Sequence, residues 1–288
     1  MAKTREIRRR IRSIEKTRQI TKTMEMIATS KLKRASDRVA AARPYARRLA
    51  DVIGRLLDPE LRERYPILRQ PAQPRRAAVI LLTSNRGQAG AFNVNLIREA
   101  RALQERLRAD NTEPELYVVG RKGISFFRFQ NVVMAATRTD ITDRPTAADA
   151  SSLVEPLVGR FESGELDAVY VVYAQFRSAL STPPAVLRVL PVEAPAQQGN
   201  GPALNYILSP SPDEILSRLL PLYVRNMVYR ALVETAAAEQ GARRTAMKNA
   251  TDNAGEMLDT LRRQYNRMRQ AVITQEIAEI VGGAAALE

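Results

Sequence analysis

Four polar residues near the C-terminus are the first candidates for chemistry: Arg269, Gln270, Thr274 and Glu276. Their side chains donate and accept hydrogen bonds, but they contain no nucleophile paired with a base. The last segment of the chain, residues 273–288, reads ITQEIAEIVGGAAALE. The four polar residues therefore precede the two glycines and three alanines near its end. This pattern favours a polar helix face that a surrounding protein binds and releases through hydrogen bonds.

The composition excludes several kinds of catalytic site. The 288 residues include no histidine and no cysteine, which removes the commonest base near neutral pH, thiol nucleophiles and zinc–thiolate sites. Asp252, Glu256 and Asp259 follow one helical face, but without further convergent oxygens they indicate a solvated surface rather than a metal site. The sequence predicts no cofactor and no metal.

The segment LLTSNRGQAGAFN is the best candidate for a ligand loop. It predicts a strand, a glycine-containing turn and a helix, and backbone amides at such a turn can bind phosphate. Gly87 and Gly90 do not complete G-x-G-x-x-G, and the loop has no G-K-[ST]. A structural turn is therefore favoured over a nucleotide site. An enzyme that uses the surrounding α/β region is kept as one competing hypothesis.

Positive charge is concentrated at the N-terminus. Residues 1–50 hold 16 Lys and Arg against 4 Asp and Glu, whereas the rest of the chain is nearly balanced. Such a block indicates a nucleic-acid surface or an acidic protein partner, and a basic coiled-coil nucleic-acid binder is a second competing hypothesis. The N-terminus lacks the apolar core of a signal peptide, and no run approaches the roughly 20 apolar residues of a membrane helix. We expect a soluble or peripheral protein.

A long helix is predicted at the N-terminal end, because residues 4–42 contain no glycine or proline. Its apolar residues recur mainly at spacings of four and three, the pattern of a coiled-coil seam: Ile7, Ile11, Ile14, Ala28, Leu32, Ala35, Val39 and Ala42. Ile20, Met24 and Ile27 form a second stripe on a different face. This stripe is either buried within the protein or meets a partner near Met24. Pro44 is expected to kink or end the helix.

A second long helix is predicted from residue 211 to the C-terminal end. Its seam follows spacings of four and three over nearly three heptads: Ala254, Leu258, Leu261, Tyr265, Met268 and Val272. Since both terminal helices carry seams, we expect them to pair antiparallel. The rod they form has polar seam positions, which indicates that partners stabilise it.

The region between the helices predicts a Rossmann-like α/β domain. The predicted strands are 77–84, 115–120, 131–138, 166–178 and 185–192, and the predicted helices are 92–107 and 147–161. The fold class is therefore α/β plus a long antiparallel coiled coil. The expected domains are an N-terminal helix at 1–57, a central domain at 77–196 and a C-terminal helix at 211–286.

Both ends of the chain resemble one family. REIRRRIRSIEKTRQITKTMEMIATSKLKRA and AMKNATDNAGEMLDTLRRQYNRMRQAVITQEIAEIVGGAAAL are similar to the gamma subunit of F-type ATP synthases. The resemblance implies a non-catalytic rotor shaft, one copy per complex, within three alpha and three beta subunits. It also implies contact with an epsilon subunit and the membrane c ring, and no specific nucleic acid. We expect a bacterial chain on the cytoplasmic side of the inner membrane.

The resemblance assigns roles by position. Met24 lies near the lever of the beta subunit. The implied hexamer contacts are Met24, Arg269, Gln270, Thr274 and Glu276, and the implied foot on the c ring is Tyr206, Leu208 and Ser209. This chain departs from the family at Ser209, where an acidic residue is frequent, and in SNRGQAG, where the family has S-D-R-G-L-C-G. It also lacks the cysteine-bearing insert of plant chloroplast members.

Overall fold

The computed structural model describes residues 2–56, 64–71, 73–192 and 212–285. The chain divides into two compact units. The helical unit comprises residues 1–28 and 244–288, and the sheet unit comprises residues 29–243. Two long helices, α1 (Ala2–Leu56) and α5 (Pro212–Ala285), each contribute to both units.

The sheet unit contains five strands and three further α-helices. The strands are β1 (Arg76–Leu82), β2 (Glu113–Val119), β3 (Ala136–Arg138), β4 (Ala168–Ala174) and β5 (Pro184–Leu190). The helices are α2 (Phe92–Ala109), α3 (Arg121–Phe129) and α4 (Ala147–Glu162), and a short 3₁₀ turn covers Pro66–Leu68. The strand order is β3-β2-β1-β4-β5, parallel except for β5, which pairs antiparallel with β4.

Both faces of this sheet are covered, which explains the continuous apolar run of β1. Alternate residues of β1 belong to two different cores. Ile80 packs in one with residues of α4 and the first half of α5, and Val79 packs in the other with residues of α2 and α3. The predicted Rossmann-like α/β class is confirmed.

The helical unit is an antiparallel pair of helices. Glu15 of α1 forms an ion pair with Arg262 of α5 at 2.7 Å, and the hydroxyls of Thr21 and Thr251 are 2.8 Å apart. Residue numbers increase along α1 while those of the partner residues on α5 decrease, so the two helices run antiparallel. The seam residues of α5 are buried or half-buried from Ala254 to Val272, while most residues between them are exposed. The predicted antiparallel coiled coil is confirmed.

Two local predictions differ from the structure. The prediction that the chain enters strand structure at residue 131 is wrong, since β3 covers only Ala136–Arg138 at the edge of the sheet. Pro44 does not end the first helix, because α1 continues to Leu56 and buries Leu49 and Ile53 in the sheet unit's core. The predicted domain boundaries stay a prediction.

Helix α3 was not predicted from the sequence at all. Its segment RKGISFFRF contains glycine and three phenylalanines, which favour strands or turns over helix. Tertiary contacts select the helix: the backbone amide of Gly123 donates to the hydroxyl of Thr83 at 3.0 Å. A Cβ atom at Gly120, whose φ is 98°, would lie 2.2 Å from the carbonyl oxygen of Thr83, so only glycine permits this approach.

Candidate functional site

The C-terminal end of α5 leaves a run of apolar side chains in solvent. Val272 is the last half-buried residue of the seam, and every residue from Ile273 to Gly282 is exposed. Ile277 is 56% exposed and Ile280 is 72% exposed. Isoleucines spaced by three and four along a helix form one apolar stripe, and a large exposed stripe marks an interaction surface.

The predicted polar contacts lie beside this stripe. Arg269, Gln270, Thr274 and Glu276 are all exposed. Within the described part of the chain, none of the four forms a hydrogen bond or an ion pair, although the neighbouring Gln275 donates to Glu279 at 2.8 Å. Their hydrogen-bonding groups therefore face solvent in the isolated chain and remain available to a partner.

Met24 lies on α1, away from that end. It is half-buried, and its neighbours in the second apolar stripe, Ile20 and Ile27, are 59% and 53% exposed. Arg269 is 18 residues along α5 from Thr251, the partner of Thr21, which corresponds to about 27 Å of helix. Met24 and the polar group near Arg269 therefore lie in two separate regions of the helical unit rather than in one pocket.

The remaining predicted site residues fall elsewhere. Tyr206, Leu208 and Ser209 lie outside the described residues. Asp252 and Asp259, considered above as metal ligands, are exposed on α5. Across the described ranges, no helix combines the length and apolar character needed to cross a membrane.

The sheet unit has the crevice in which doubly wound folds bind ligands, at the carboxyl ends of β1 and β4, where the strand order reverses. The β1 side of this crevice is filled by internal hydrogen bonds. The hydroxyl of Thr83 donates to the carbonyl of Val119 at 2.7 Å, and Asn85 accepts from the first amide of α3 at 3.0 Å. Asn85 also donates to the carbonyls of Thr139 and Ile141, so this loop is structural.

Helix α5 occupies the β4 side of the same crevice. The backbone amide of Ala174 donates to the hydroxyl of Thr235 at 3.3 Å, and the amide of Phe176 donates to the carboxylate of Glu234 at 3.2 Å. Glu234 is 1% exposed and also accepts from Arg230 at 2.9 Å. Sequence reasoning missed these residues. Their only signal is a pair of polar residues in the alanine-rich run ALVETAAA.

A five-stranded sheet covered by helices on both faces and an antiparallel pair of terminal helices together define the class of fold to which this chain belongs. Solved structures share this fold. A chain of the Euglena gracilis mitochondrial ATP synthase matches 99% of this chain and 95% of its own length, with a TM-score of 0.68 and 20% identity. A chain of the Tetrahymena thermophila mitochondrial ATP synthase central stalk and c ring matches 80% of this chain and 99% of its own length, with a TM-score of 0.60 and 22% identity.

The family follows from the sequence comparisons. A family model described as ATP synthase matches residues 3–287. The ATP synthase gamma chain of Gemmatimonas aurantiaca is 61% identical over 289 residues, covering all of both chains. That of Desulfitobacterium hafniense is 45% identical over 289 residues, again with full coverage of both. This chain belongs to the family of ATP synthase gamma chains.

Proposed function

We propose that this chain is the central rotor shaft of an F-type ATP synthase. It couples ion-driven rotation of a membrane c ring to conformational change in catalytic beta subunits, during synthesis or hydrolysis of ATP. The observation that carries this proposal is the exposed end of α5, where the isoleucines and the four polar residues predicted to contact the hexamer face solvent. Membership of the gamma-chain family supports it.

The shaft itself is non-catalytic, and the catalytic sites lie on partner subunits. The internal hydrogen bonds of Thr83 and Asn85 support this part, because they fill the turn after β1, where a nucleotide's phosphates bind in this type of fold. A small apolar end also suits rotation, since few directional bonds would have to break as it turns.

The partners are three alpha and three beta subunits, an epsilon subunit and the c ring, with one shaft per complex. Met24 contacts the lever of the beta subunit. Near the C-terminal end of α5, the hexamer contacts are Arg269, Gln270, Thr274 and Glu276. Tyr206, Leu208 and Ser209 form the foot on the ring. The complex places this chain at the periphery of the bacterial inner membrane, on the cytoplasmic side. The basic residues of α1 support an acidic partner. Attraction between opposite charges speeds the association of two proteins without requiring one fixed ion pair.

The native mass of the complex that co-purifies with this chain from detergent-solubilised membranes of its host tests the proposal. We expect one copy of the chain with three copies each of two nucleotide-binding subunits. A monomer or homodimer that carries nucleic acid would overturn the shaft and favour the basic coiled-coil binder. In that case the binding constant should fall steeply with salt.

The substitution Met24→Lys tests the lever contact within an assembled complex. It adds a charge beside two exposed isoleucines, and we expect ATP-driven proton pumping to fall severalfold while the subunit composition is unchanged. Met257→Lys is the matched control, because Met257 is 54% exposed on α5 and has no predicted role. Normal pumping by the Met24 variant, or equal losses in both, would contradict the assigned contact.

A further inference from the structure

A polar cleft of about 320 Å³ opens in the sheet unit just after the carboxyl end of β4, and the rotor function does not use it. Its lining residues are Arg43, Gln175, Phe176, Arg177, Arg230 and Glu234. They come from α1, from the connection between β4 and β5, and from α5. Three guanidinium groups thus surround one cavity together with a single carboxylate.

Internal hydrogen bonds fix the walls of the cleft. The carbonyl of Phe176 accepts from Arg43 at 3.0 Å, and its amide donates to Glu234 at 3.2 Å. The second carboxylate oxygen of Glu234 accepts from Nε of Arg230 at 2.9 Å. Nε of Arg177 donates to the side-chain oxygen of Gln175 at 2.9 Å. Each guanidinium is therefore oriented before any ligand arrives, which lowers the entropy lost on binding.

The cleft carries excess positive charge. Glu234 is already engaged by Arg230 and the amide of Phe176. In the described chain, Arg43 and Arg177 form no ion pair with a carboxylate, so two guanidinium charges are not neutralised locally. A guanidinium presents a planar fork of donors that matches two phosphate oxygens, and such charge-assisted hydrogen bonds are stronger than neutral ones.

We propose that this cleft binds a diphosphate group, held by Arg43 and Arg177 with Arg230 at its side. The cavity volume is at the lower end of the range for small-molecule sites, which suits a compact anion with its water. Inorganic pyrophosphate and the diphosphate of ADP share this chemistry. This site is independent of the rotor function and does not require the hexamer.

Isothermal titration calorimetry of the purified full chain tests the site, with inorganic pyrophosphate and ADP titrated separately at one fixed ionic strength. We expect pyrophosphate to bind with a stoichiometry of one, and Arg177→Ala to weaken that binding about tenfold. Arg98→Ala is the matched control, because Arg98 is also exposed and donates to a neighbouring side-chain amide, Asn95. The control should bind like the unmodified chain.

The outcomes separate a built site from the general attraction of a basic chain. No pyrophosphate binding at millimolar concentration, or equal weakening in the Arg98 and Arg177 variants, would overturn the proposal. If ADP binds as well and Arg177→Ala weakens both ligands, the ligand is the nucleotide diphosphate. If only pyrophosphate binds, the inorganic anion is the ligand. Arg43→Gln removes a charge while keeping a donor for the carbonyl of Phe176, and it should weaken binding without loss of folding.

Discussion

Helix α5 runs through both units and uses its apolar residues differently in each. In the sheet unit, residues 231–238 are buried on every side, including Glu234 and Thr235, whose polar groups bond to the backbone at the end of β4 and just after it. In the helical unit, only a narrow seam is covered, and Ile277 and Ile280 face solvent. The sheet unit is therefore stabilised by contacts within the chain. The helical unit leaves part of its apolar surface uncovered by the described chain.

The largest expected difference between the units concerns apolar side chains on the same helix. Leu232→Ala removes a side chain that is 4% exposed, and we expect the free energy of unfolding to fall by about 2–5 kcal/mol. Ile277→Ala removes one that is 56% exposed, and we expect a change within about 0.5 kcal/mol. Urea unfolding of the purified chain, followed by circular dichroism, measures both. Equal losses would show that the end of α5 is packed within this chain.

A smaller difference in the free energy of unfolding is expected when a carboxylate is replaced in each unit. Glu234→Gln replaces one acceptor oxygen of a buried carboxylate with a donor, and it leaves Arg230 or the amide of Phe176 without its hydrogen bond. We expect a loss of about 1–3 kcal/mol in unfolding free energy. Glu276→Gln is the control on the same helix, because Glu276 is exposed. If the two variants unfold at the same urea concentration, the contact between α5 and the end of β4 contributes nothing to the stability of the folded chain.

The smallest expected effect is a dependence on pH. Arg160 donates to both oxygens of Glu115, at 2.7 and 2.9 Å, and these hydrogen bonds hold the pKa of Glu115 below its ordinary value of 4.5. Because the pKa is lower in the folded chain than in the unfolded one, this stabilisation is present above about pH 4.5. It is lost as the pH falls through the folded pKa. We expect a contribution of about 1 kcal/mol.

Unfolding free energies at pH 7 and at about pH 3 measure this loss. Arg160→Gln should unfold more easily at pH 7 and should lose less stability on acidification than the unmodified chain. The control is Arg10→Gln in the helical unit, since Arg10 and Glu6 form an ion pair whose side chains are 65% and 61% exposed. That substitution should leave the acid dependence unchanged. The same dependence in the Arg160 variant and the unmodified chain would contradict the role of the half-buried ion pair between Arg160 and Glu115.

Patterns along the sequence predicted the helical unit well. Its structure depends on one repeat of apolar residues, and such a repeat is readable from Ala254 to Val272 without knowledge of the fold. Ile20 and Ile27 are exposed and Met24 is half-buried, which disfavours the alternative that the chain itself buries the second stripe. The roles of Met24 and of the polar residues near the tip stay predictions, since they concern partners.

The sheet unit was predicted in outline and missed in detail. Its apolar runs located β1, β2, β4 and β5, because strands covered on both faces need continuous apolar residues. The helix α3 was not predicted, and the strand predicted at 131–138 was correct only for its last three residues, Ala136–Arg138. Their local composition conflicts with the conformation that contacts with Thr83 and the sheet edge impose.

The sequence by itself determined the two terminal helices, their seams, the α/β class and the apolar end, since each follows from local periodicity or composition. The tertiary structure alone decided that α5 occupies the β4 side of the crevice through Glu234 and Thr235, and that Arg43, Arg177 and Arg230 line one cleft. Arg43, Arg177 and Arg230 are more than 50 residues apart along the chain, and Arg43, Glu234 and Thr235 bond to backbone atoms of the segment at the end of β4. Backbone atoms are the same at every position, so no pattern of side chains records such contacts.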